Sequence, residues 1–175
     1  MRLFWKKVEK TVPPAISVWM SRGHLSRTAE ILRQSGTADE AHEGVVYWAG
    51  RMAHNESFIT TVIAPSAITT LGSFKTSSVS NARVIAYLAN AGLELLAQVH
   101  SHPGNLVDHS QGDDDRAFMP YEGFLSIVVP QYARRGLVPL TICGVHIFEA
   151  GGFRRMNERE ILSSFHIVDE TADLR

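Results

Sequence analysis

The sequence predicts a single α/β domain, and three observations support that prediction. The chain has 175 residues, of which 45% are hydrophobic and 20% charged, proportions typical of one soluble globular domain. Segments with helical spacing of apolar residues alternate with short runs of β-branched and aromatic residues. No internal repeat or low-complexity tract divides the sequence. We therefore expect one domain over residues 1–175, with helices packed against a mixed sheet in two or three layers.

The first third of the chain predicts one helix and an antiparallel pair of strands. Val12-Pro13-Pro14 blocks a helix, so the extension over residues 1–14 stays unassigned. Ala15–Gln34 has apolar residues at helical spacing, with a break expected near Gly23. Glu43–Gly50 and Phe58–Ala64 are rich in β-branched and aromatic residues and predict an antiparallel pair.

The middle of the chain predicts a long loop, a helix and a buried strand. Pro65–Ser78 is a connection rich in serine and threonine, and a loop of this length in a small domain often has a function. A helix is expected to begin at Asn81, capped by Ser80, and to end at Gly92. Leu95–Val99 is a short apolar run typical of a buried strand.

Two further strands and a helix are expected in the last third. Phe124–Val129 and Leu140–Phe148 are apolar runs, punctuated by Pro130 and Pro139. Asn157–Ser164 predicts a short C-terminal helix.

Charge and cysteine content exclude several classes of site. The formal net charge of −1 gives no general basic surface for nucleic acid. Cys143 is the single cysteine, which excludes an intramolecular disulfide and a cysteine-rich metal site, and its apolar context predicts a buried thiol. No run of about 18 apolar residues predicts a transmembrane helix, and Met1–Lys10 lacks the apolar core of a secretory signal. We expect a cytoplasmic protein.

A pair of histidines at the end of the Leu95–Val99 strand carries the main functional signal. In a strand, residues i and i+2 point to the same face, so His100 and His102 project together while Ser101 points away. Asp113 follows a polar stretch long enough to turn back and supply an oxygen ligand. Two histidines and one carboxylate leave a fourth coordination position for water, as in catalytic zinc sites. We interpret His100, His102 and Asp113 as ligands of one Zn²⁺.

Two more residues are candidates for catalysis. A zinc ion acts as a Lewis acid and lowers the pKa of water to about 7, and a nearby carboxylate then serves as general base. Glu43, at the start of a predicted strand, is our candidate base, with Glu40 as the alternative. Ser110 is interpreted in two compatible ways: as the N-cap of a helix starting near Gln111, and as a donor to an oxyanion.

These residues resemble the metal motif of the JAMM/MPN+ (JAB-domain) zinc metalloprotease family. The family motif is His-x-His, seven residues, Ser, two residues, Asp, and this sequence contains it intact from His100 to Asp113. The family also places its catalytic glutamate seven positions before a glycine that ends a strand, and Glu43 and Gly50 match that spacing. A second family glycine, three residues after the glutamate, is replaced here by Val46. The resemblance covers about residues 40–150.

The resemblance implies a fold, a cofactor and a substrate class. Relatives adopt a cytidine-deaminase-like fold, a curved mixed β-sheet flanked by helices, and bind one Zn²⁺. Many cleave after the C-terminal glycine of ubiquitin or a ubiquitin-like protein, whose tail is gripped by two insertions. Pro65–Ser78 resembles the first insertion, and Phe118–Gly123 or Ala133–Val138 is a candidate for part of the second. A lone domain of this kind resembles the deconjugating enzymes of bacterial ubiquitin-like conjugation systems, including antiphage systems of the Bil type, in which E1-like and E2-like proteins are further partners.

Three alternatives remain open at this stage. The same chemistry could process a sulfur-carrier protein or a small peptide conjugate. A metal-free binding scaffold of the same family is a second alternative, although such members lack the ligands that this chain retains. DNA-repair-associated relatives with a His-x-His motif are a third, which the near-neutral charge does not favour.

The remaining polar and aromatic residues are assigned to structural roles. His109 is expected to be an exposed loop residue, with a role next to the metal site as the alternative. Asp114 and Asp115 are expected to be solvated at a helix start, and Tyr47 and Trp48 to pack in the core. Five histidines have no partner at ligand spacing and are interpreted as structural or surface residues: His24, His42, His54, His146 and His166.

Overall fold

A computed structural model describes residues 16–35 and 39–170, so the extension 1–14, with Phe4 and Trp5, lies outside the described residues. In the described part the strands are β1 (Ser17–Ser21), β2 (Val45–Ala53), β3 (Glu56–Ile63), β4 (Ala67–Thr70), β5 (Ser73–Thr76), β6 (Glu94–Ser101), β7 (Leu125–Val129), β8 (Gly144–Glu149), β9 (Gly152–Arg155) and β10 (Phe165–Val168). The helices are α1 (Arg22–Arg33), α2 (Ser78–Ala91), α3 (Gln111–Asp115) and α4 (Glu158–Ser164), with 3₁₀ turns at Gln131–Ala133 and Leu140–Ile142.

Eight of the strands form one mixed sheet in the order β10-β1-β3-β2-β6-β7-β8-β9, and β4 and β5 form a separate hairpin. The pairs β1–β10, β1–β3 and β6–β7 are parallel, and the other pairs of the large sheet are antiparallel. The strand β6 lies at the centre of this sheet between β2 and β7. A residue at the end of β6 is therefore surrounded by structure on both sides.

The sheet separates two hydrophobic cores, and the alternation of side chains along β2 shows both. Val46 and Trp48 face the larger core with α1 and α4, and the Trp48 indole Nε1 donates to Thr28 Oγ1 at 2.9 Å. Val45 and Tyr47 face the second core with α2 and the β4–β5 hairpin. The α/β prediction is thus confirmed, in its three-layer form, and Tyr47 and Trp48 are core residues as expected.

The N-terminal part of the predicted helix Ala15–Gln34 is wrong. Residues 17–21 form β1, in which Val18 and Met20 are buried on alternate positions. The helix begins only at Arg22, after the cap residue Ser21. Gly23 lies in the first turn of α1 and does not break it.

The predictions for the middle of the chain are partly confirmed. Pro65–Ser78 is not a plain loop, because it contains the β4–β5 hairpin. The helix after it is capped by Ser77, whose hydroxyl accepts from the Ser80 amide at 3.1 Å, so Ser80 is inside the helix and is not the cap. Gly92 ends the helix as predicted, in the left-handed conformation with φ of 61°.

Two strand boundaries also differ from the prediction. Gly50 does not end β2, which continues to Ala53. Gly50 instead lies at a bulge, where a Cβ atom would meet the Phe58 carbonyl oxygen at 1.8 Å. The predicted strand Leu140–Phe148 starts with a 3₁₀ turn and becomes extended only at Gly144. Cys143 is a buried free thiol, as predicted.

No helix in residues 16–35 or 39–170 is long and apolar enough to span a membrane. The C-terminal helix α4 is confirmed, with Asn157 as its cap.

Candidate metal centre

The central strand β6 and the residue after it position the two histidines. His100 is fully buried, and its backbone pairs with Val45 of β2 and Val128 of β7. His102 lies one residue past the end of β6, and its amide donates to the Val129 carbonyl at 2.9 Å. The strand geometry therefore holds both rings on one face, with their Nε2 atoms 3.2 Å apart.

The short helix α3 brings Asp113 to these rings. Ser110 caps this helix: its hydroxyl accepts from the Asp113 amide at 3.3 Å, while the Asp113 carboxylate accepts from the Ser110 amide at 2.7 Å. This reciprocal capping box fixes the carboxylate. Its oxygens lie 3.3 Å from His100 Nε2 and 3.5 Å from His102 Nε2.

The three donors fit a zinc ion. Ligands at about 2.0–2.1 Å from a tetrahedral zinc are roughly 3.3 Å apart. The two Nε2 atoms are 3.2 Å apart, Asp113 Oδ1 lies 3.3 Å from His100 Nε2, and Asp113 Oδ2 lies 3.5 Å from His102 Nε2. With one ligand atom taken from each residue, the three atoms lie within 4.8 Å of one another. His102 Nδ1 lies 2.9 Å from the Leu106 carbonyl, to which it can only donate, so its Nε2 keeps a free lone pair. No other cluster of three potential ligands from histidine, cysteine or acidic residues occurs in the described residues.

The pKa shifts of His100 and Asp113 suit a bound cation, whereas the raised pKa of His102 favours its proton. Burial lowers the pKa of His100, which keeps its ring neutral. Burial alone would raise the pKa of Asp113, but hydrogen bonds with His100 and His102 hold it well below its usual range. Burial opposes protonation of His102, whereas its hydrogen bonds with Asp113 and Leu106 raise the pKa. A neutral imidazole and an ionised carboxylate are the forms that bind metal.

Glu43 lies beside this cluster, two residues before β2 begins. Its side chain is buried, with 4% exposure for the residue, and its amide donates to the Thr70 carbonyl of the hairpin at 2.8 Å. The next residue, Gly44, is tied to Ser101 by two hydrogen bonds, of 3.0 and 3.1 Å. Burial raises the pKa of Glu43 to about 7; the nearby His102 opposes the shift and Asp113 adds to it. A carboxyl group of this kind can exchange a proton near neutral pH.

Glu40, the alternative base, is in a different environment. It is exposed and lies 3.3 Å from His42 Nε2. Of the two carboxyl groups, Glu43 is the better candidate for the base, because it is buried and its charge interacts with His102 and Asp113.

Ser110 is the N-cap of α3, as one of its two interpretations predicted. Its hydroxyl donates to Asp113 Oδ2 at 2.8 Å, and the residue is exposed to solvent. The role of the Ser110 hydroxyl as a hydrogen-bond donor to an oxyanion stays a prediction.

The expectation that His109 is exposed is wrong. Its side chain is 7% exposed, and its ring stacks on His146 with centroids 3.9 Å apart. Its Nδ1 lies 2.6 Å from Asp114 Oδ1 and its Nε2 lies 2.9 Å from Ser126 Oγ. These contacts join the loop before α3 to β7. The ring centroid of His109 lies 6.0 Å from that of His100. The alternative role next to the metal site is the one that the geometry favours.

Sequence reasoning missed two further residues of the site, Arg116 and Phe74. Arg116 Nη2 lies 3.6 Å from Asp113 Oδ1, and the Phe74 ring contacts His100 at a centroid distance of 5.3 Å. The i,i+3 spacing of Asp113 and Arg116 in a short helix was a signal for the first contact. Asp114 and Asp115 are exposed, as expected.

Comparison with known proteins is consistent with this arrangement. Residues 25–157 match the family described as prokaryotic homologs of the JAB domain. A protein of Sinorhizobium fredii named probable metalloprotease y4jG is 35% identical over 126 residues, which cover 67% of this chain and 74% of that protein.

Two solved structures share the fold at 14% identity. The solution structure of protein DSY2949 from Desulfitobacterium hafniense superimposes with a TM-score of 0.63, over 87% of this chain and 94% of that one. A protein from Salinibacter ruber gives a TM-score of 0.54, over 91% of this chain and 95% of that one.

Proposed function

Because this chain belongs to the family of prokaryotic JAB-domain (JAMM/MPN) proteins, we propose that it is a zinc-dependent peptidase or isopeptidase. Its proposed reaction is cleavage after the C-terminal glycine of a ubiquitin-like protein, in deconjugation or precursor processing. The observation that carries the proposal is the cluster of His100, His102 and Asp113, in which one ligand atom from each residue lies within 4.8 Å of the others, a donor set suited to zinc.

His100, His102 and Asp113 would hold the metal and leave one position open. Zinc in such a site supplies Lewis acidity toward the scissile carbonyl and toward water. The protein's own contribution is a preformed donor set: β6 fixes the two rings and the capping box of α3 fixes the carboxylate. The name of the Sinorhizobium relative, a probable metalloprotease, supports the same reaction class.

Glu43 is the proposed general base and acid. Its buried carboxyl group, with a pKa raised to about 7 by burial, takes a proton from the attacking water and delivers it to the leaving nitrogen. The hydrogen bonds of Gly44 with Ser101 hold Glu43 against the end of β6. The position of Glu43 is therefore fixed by the bond of its amide to the hairpin and by the bonds of Gly44 to β6.

Ser110 is the proposed donor to the oxyanion. Ser110 is an exposed residue, and its hydroxyl donates to Asp113 at 2.8 Å. Release of that bond would allow the hydroxyl to turn toward a developing negative charge, while the Ser110 amide continues to hold Asp113.

The β4–β5 hairpin is the proposed grip for the substrate tail. It is held to the site by the hydrogen bond from the Glu43 amide to Thr70, and Ile68 and Leu71 on it are exposed apolar side chains. An extended C-terminal tail offers apolar side chains and backbone groups that suit such a surface. Either Phe118–Gly123 or Ala133–Val138 is proposed to form part of the second insertion. A bacterial ubiquitin-like conjugation system, including an antiphage one with E1-like and E2-like partners in the cytoplasm, is the proposed setting.

A cleavage assay tests this proposal. Fusions of ubiquitin-like proteins and of sulfur-carrier proteins to a reporter are incubated with zinc-loaded wild type and with Glu43→Gln. Cleavage directly after the terminal glycine by wild type, lost in Glu43→Gln, is the expected result. Cleavage of sulfur-carrier fusions alone would move the substrate to that class, and equal turnover in both proteins would remove Glu43 as the base.

A further inference from the structure

Arg116 lies beside the proposed metal ligands. It follows α3 directly, one turn after Asp113, and its Cζ atom lies 5.9 Å from the centroid of the Phe74 ring. This distance is within the range of a cation–π contact. A Cβ atom at Gly112 would lie 2.7 Å from Arg116 Nη2, so the guanidinium rests against a backbone that has no side chain there.

The guanidinium has unused hydrogen-bonding capacity. It carries five N–H donors, and it donates no hydrogen bond to any residue in 16–35 or 39–170. Its ion pair with Asp113 is 3.6 Å long, too long for a hydrogen bond. The Arg116 side chain is 36% exposed. A planar cation confined by neighbours, with its donors free, suits a planar anion that can accept two bonds.

The reaction proposed above generates such an anion. Hydrolysis joins the water oxygen to the acyl carbon and breaks the C–N bond, so the products are a carboxylate and a protonated amine. The carboxylate forms close to Glu43 and Asp113, whose negative charges repel it to the extent that bound zinc does not offset them. A neighbouring guanidinium opposes that repulsion.

We propose that Arg116, whose guanidinium lies close to both Phe74 and Gly112, forms a carboxylate-binding subsite next to His100, His102 and Asp113. This inference rests on the proposed function, because it assigns the subsite to the C-terminal carboxylate of the product. It predicts that a glycine-terminated product binds through its carboxylate group, and that Arg116 has little effect on the binding of zinc.

The test compares a carboxylate with its matched amide. N-acetylglycylglycine and N-acetylglycylglycinamide are titrated by NMR into zinc-loaded wild type, Arg116→Ala, Gly112→Ala and Arg159→Ala, with zinc content measured for each protein. Arg159 is an exposed arginine of α4 and serves as the control for loss of one positive charge. The same titration on metal-free protein measures the contribution of the Arg116 guanidinium to carboxylate binding in the absence of zinc.

The expected result is that Arg116→Ala reduces the preference for the carboxylate over the amide by at least about tenfold, the order of a charged hydrogen-bond pair. Gly112→Ala should reduce it too, because the added Cβ displaces the guanidinium, which is the flexible end of its side chain, without changing the charge. In Arg116→Ala/Gly112→Ala the glycine change should have no further effect. Arg159→Ala should match wild type.

Unchanged carboxylate preference in Arg116→Ala, with zinc bound, would overturn the subsite. Loss of zinc from Arg116→Ala would also overturn it, since Arg116 would then act by holding Asp113. If Arg116→Ala fails to fold, Gly112→Ala decides by the same criterion. Failure of the proposed function is a separate outcome, seen as a wild-type protein that prefers the carboxylate but cleaves none of the fusions.

Discussion

The buried carboxyl group of Glu43 predicts a pH dependence of stability that Glu43→Gln removes. Burial raises the pKa of this group from an ordinary value of 4.5 to about 7. The charge of Asp113 adds to the increase, whereas His102 and Arg116 oppose it. The folded protein therefore keeps the Glu43 proton at pH values where the unfolded chain has lost it.

The sign and size of the effect follow from this difference. The contribution of the Glu43 carboxyl to stability is fully present below pH 4.5, falls as the pH rises, and is lost above about pH 7. The two pKa values differ by about 2.5, and each unit corresponds to about 1.4 kcal/mol, so the full loss is about 3.5 kcal/mol, of which about 3 kcal/mol falls between pH 4.5 and pH 8. Glutamine has nearly the same shape and no charge to desolvate.

Urea unfolding of metal-free protein, measured with chelator from pH 4.5 to pH 8, tests this prediction. The stability of Glu43→Gln relative to wild type should increase by about 3 kcal/mol across that range. Contributions of titrating groups that do not interact with Glu43 cancel in the difference between the two proteins. Glu40→Gln, which removes an exposed carboxyl group three residues away, is the matched control. A difference between Glu43→Gln and wild type that is constant with pH would refute the argument that burial penalises ionised Glu43.

Three other substitutions have distinct expected outcomes. Ser110→Ala removes the N-cap hydroxyl but keeps the hydrogen bond from the Ser110 amide to Asp113, so the zinc content should be unchanged. The melting temperature should fall by about 2–4 °C and kcat by about 100-fold. A normal kcat would show that the hydroxyl acts only as a helix cap. His109→Phe retains a stacked ring but removes two side-chain hydrogen bonds, and a loss of about 1–3 kcal/mol is expected in urea unfolding. Tyr132→Phe removes the 2.7 Å hydrogen bond from the Tyr132 hydroxyl to the Leu71 carbonyl, so amide hydrogen exchange in the β4–β5 hairpin should become faster. Unchanged exchange would show that this bond does not stabilise the hairpin.

The strands and helices that were predicted correctly have local signals. The β2 and β6 segments are apolar on both faces because each is buried between two cores, and α2 and α4 carry their own caps. The missed strands depend on distant partners. In β1, Val18 and Met20 fit either a helix or a strand, and the choice is made by parallel pairing with β10, which is more than 140 residues away.

The cluster of His100, His102 and Asp113 was predictable because its members are close in sequence. The strand period places His100 and His102 on one face, and the motif spacing identifies Asp113. The surroundings were not predictable, because they join residues from different elements. Phe74 reaches the site from the hairpin, and His109 is buried against His146 of β8 and Phe153 of β9.

The zinc content of the purified protein tests the central claim most directly. Wild type, Glu43→Gln and Asp113→Ala are measured by elemental analysis after dialysis against a weak chelator. We predict one zinc per chain in wild type and in Glu43→Gln. Asp113→Ala should contain none, because loss of a ligand weakens binding by more than the roughly 10- to 100-fold effect of an outer contact. Zinc retained in Asp113→Ala, or absent from wild type, would contradict the assignment of His100, His102 and Asp113 as the metal centre.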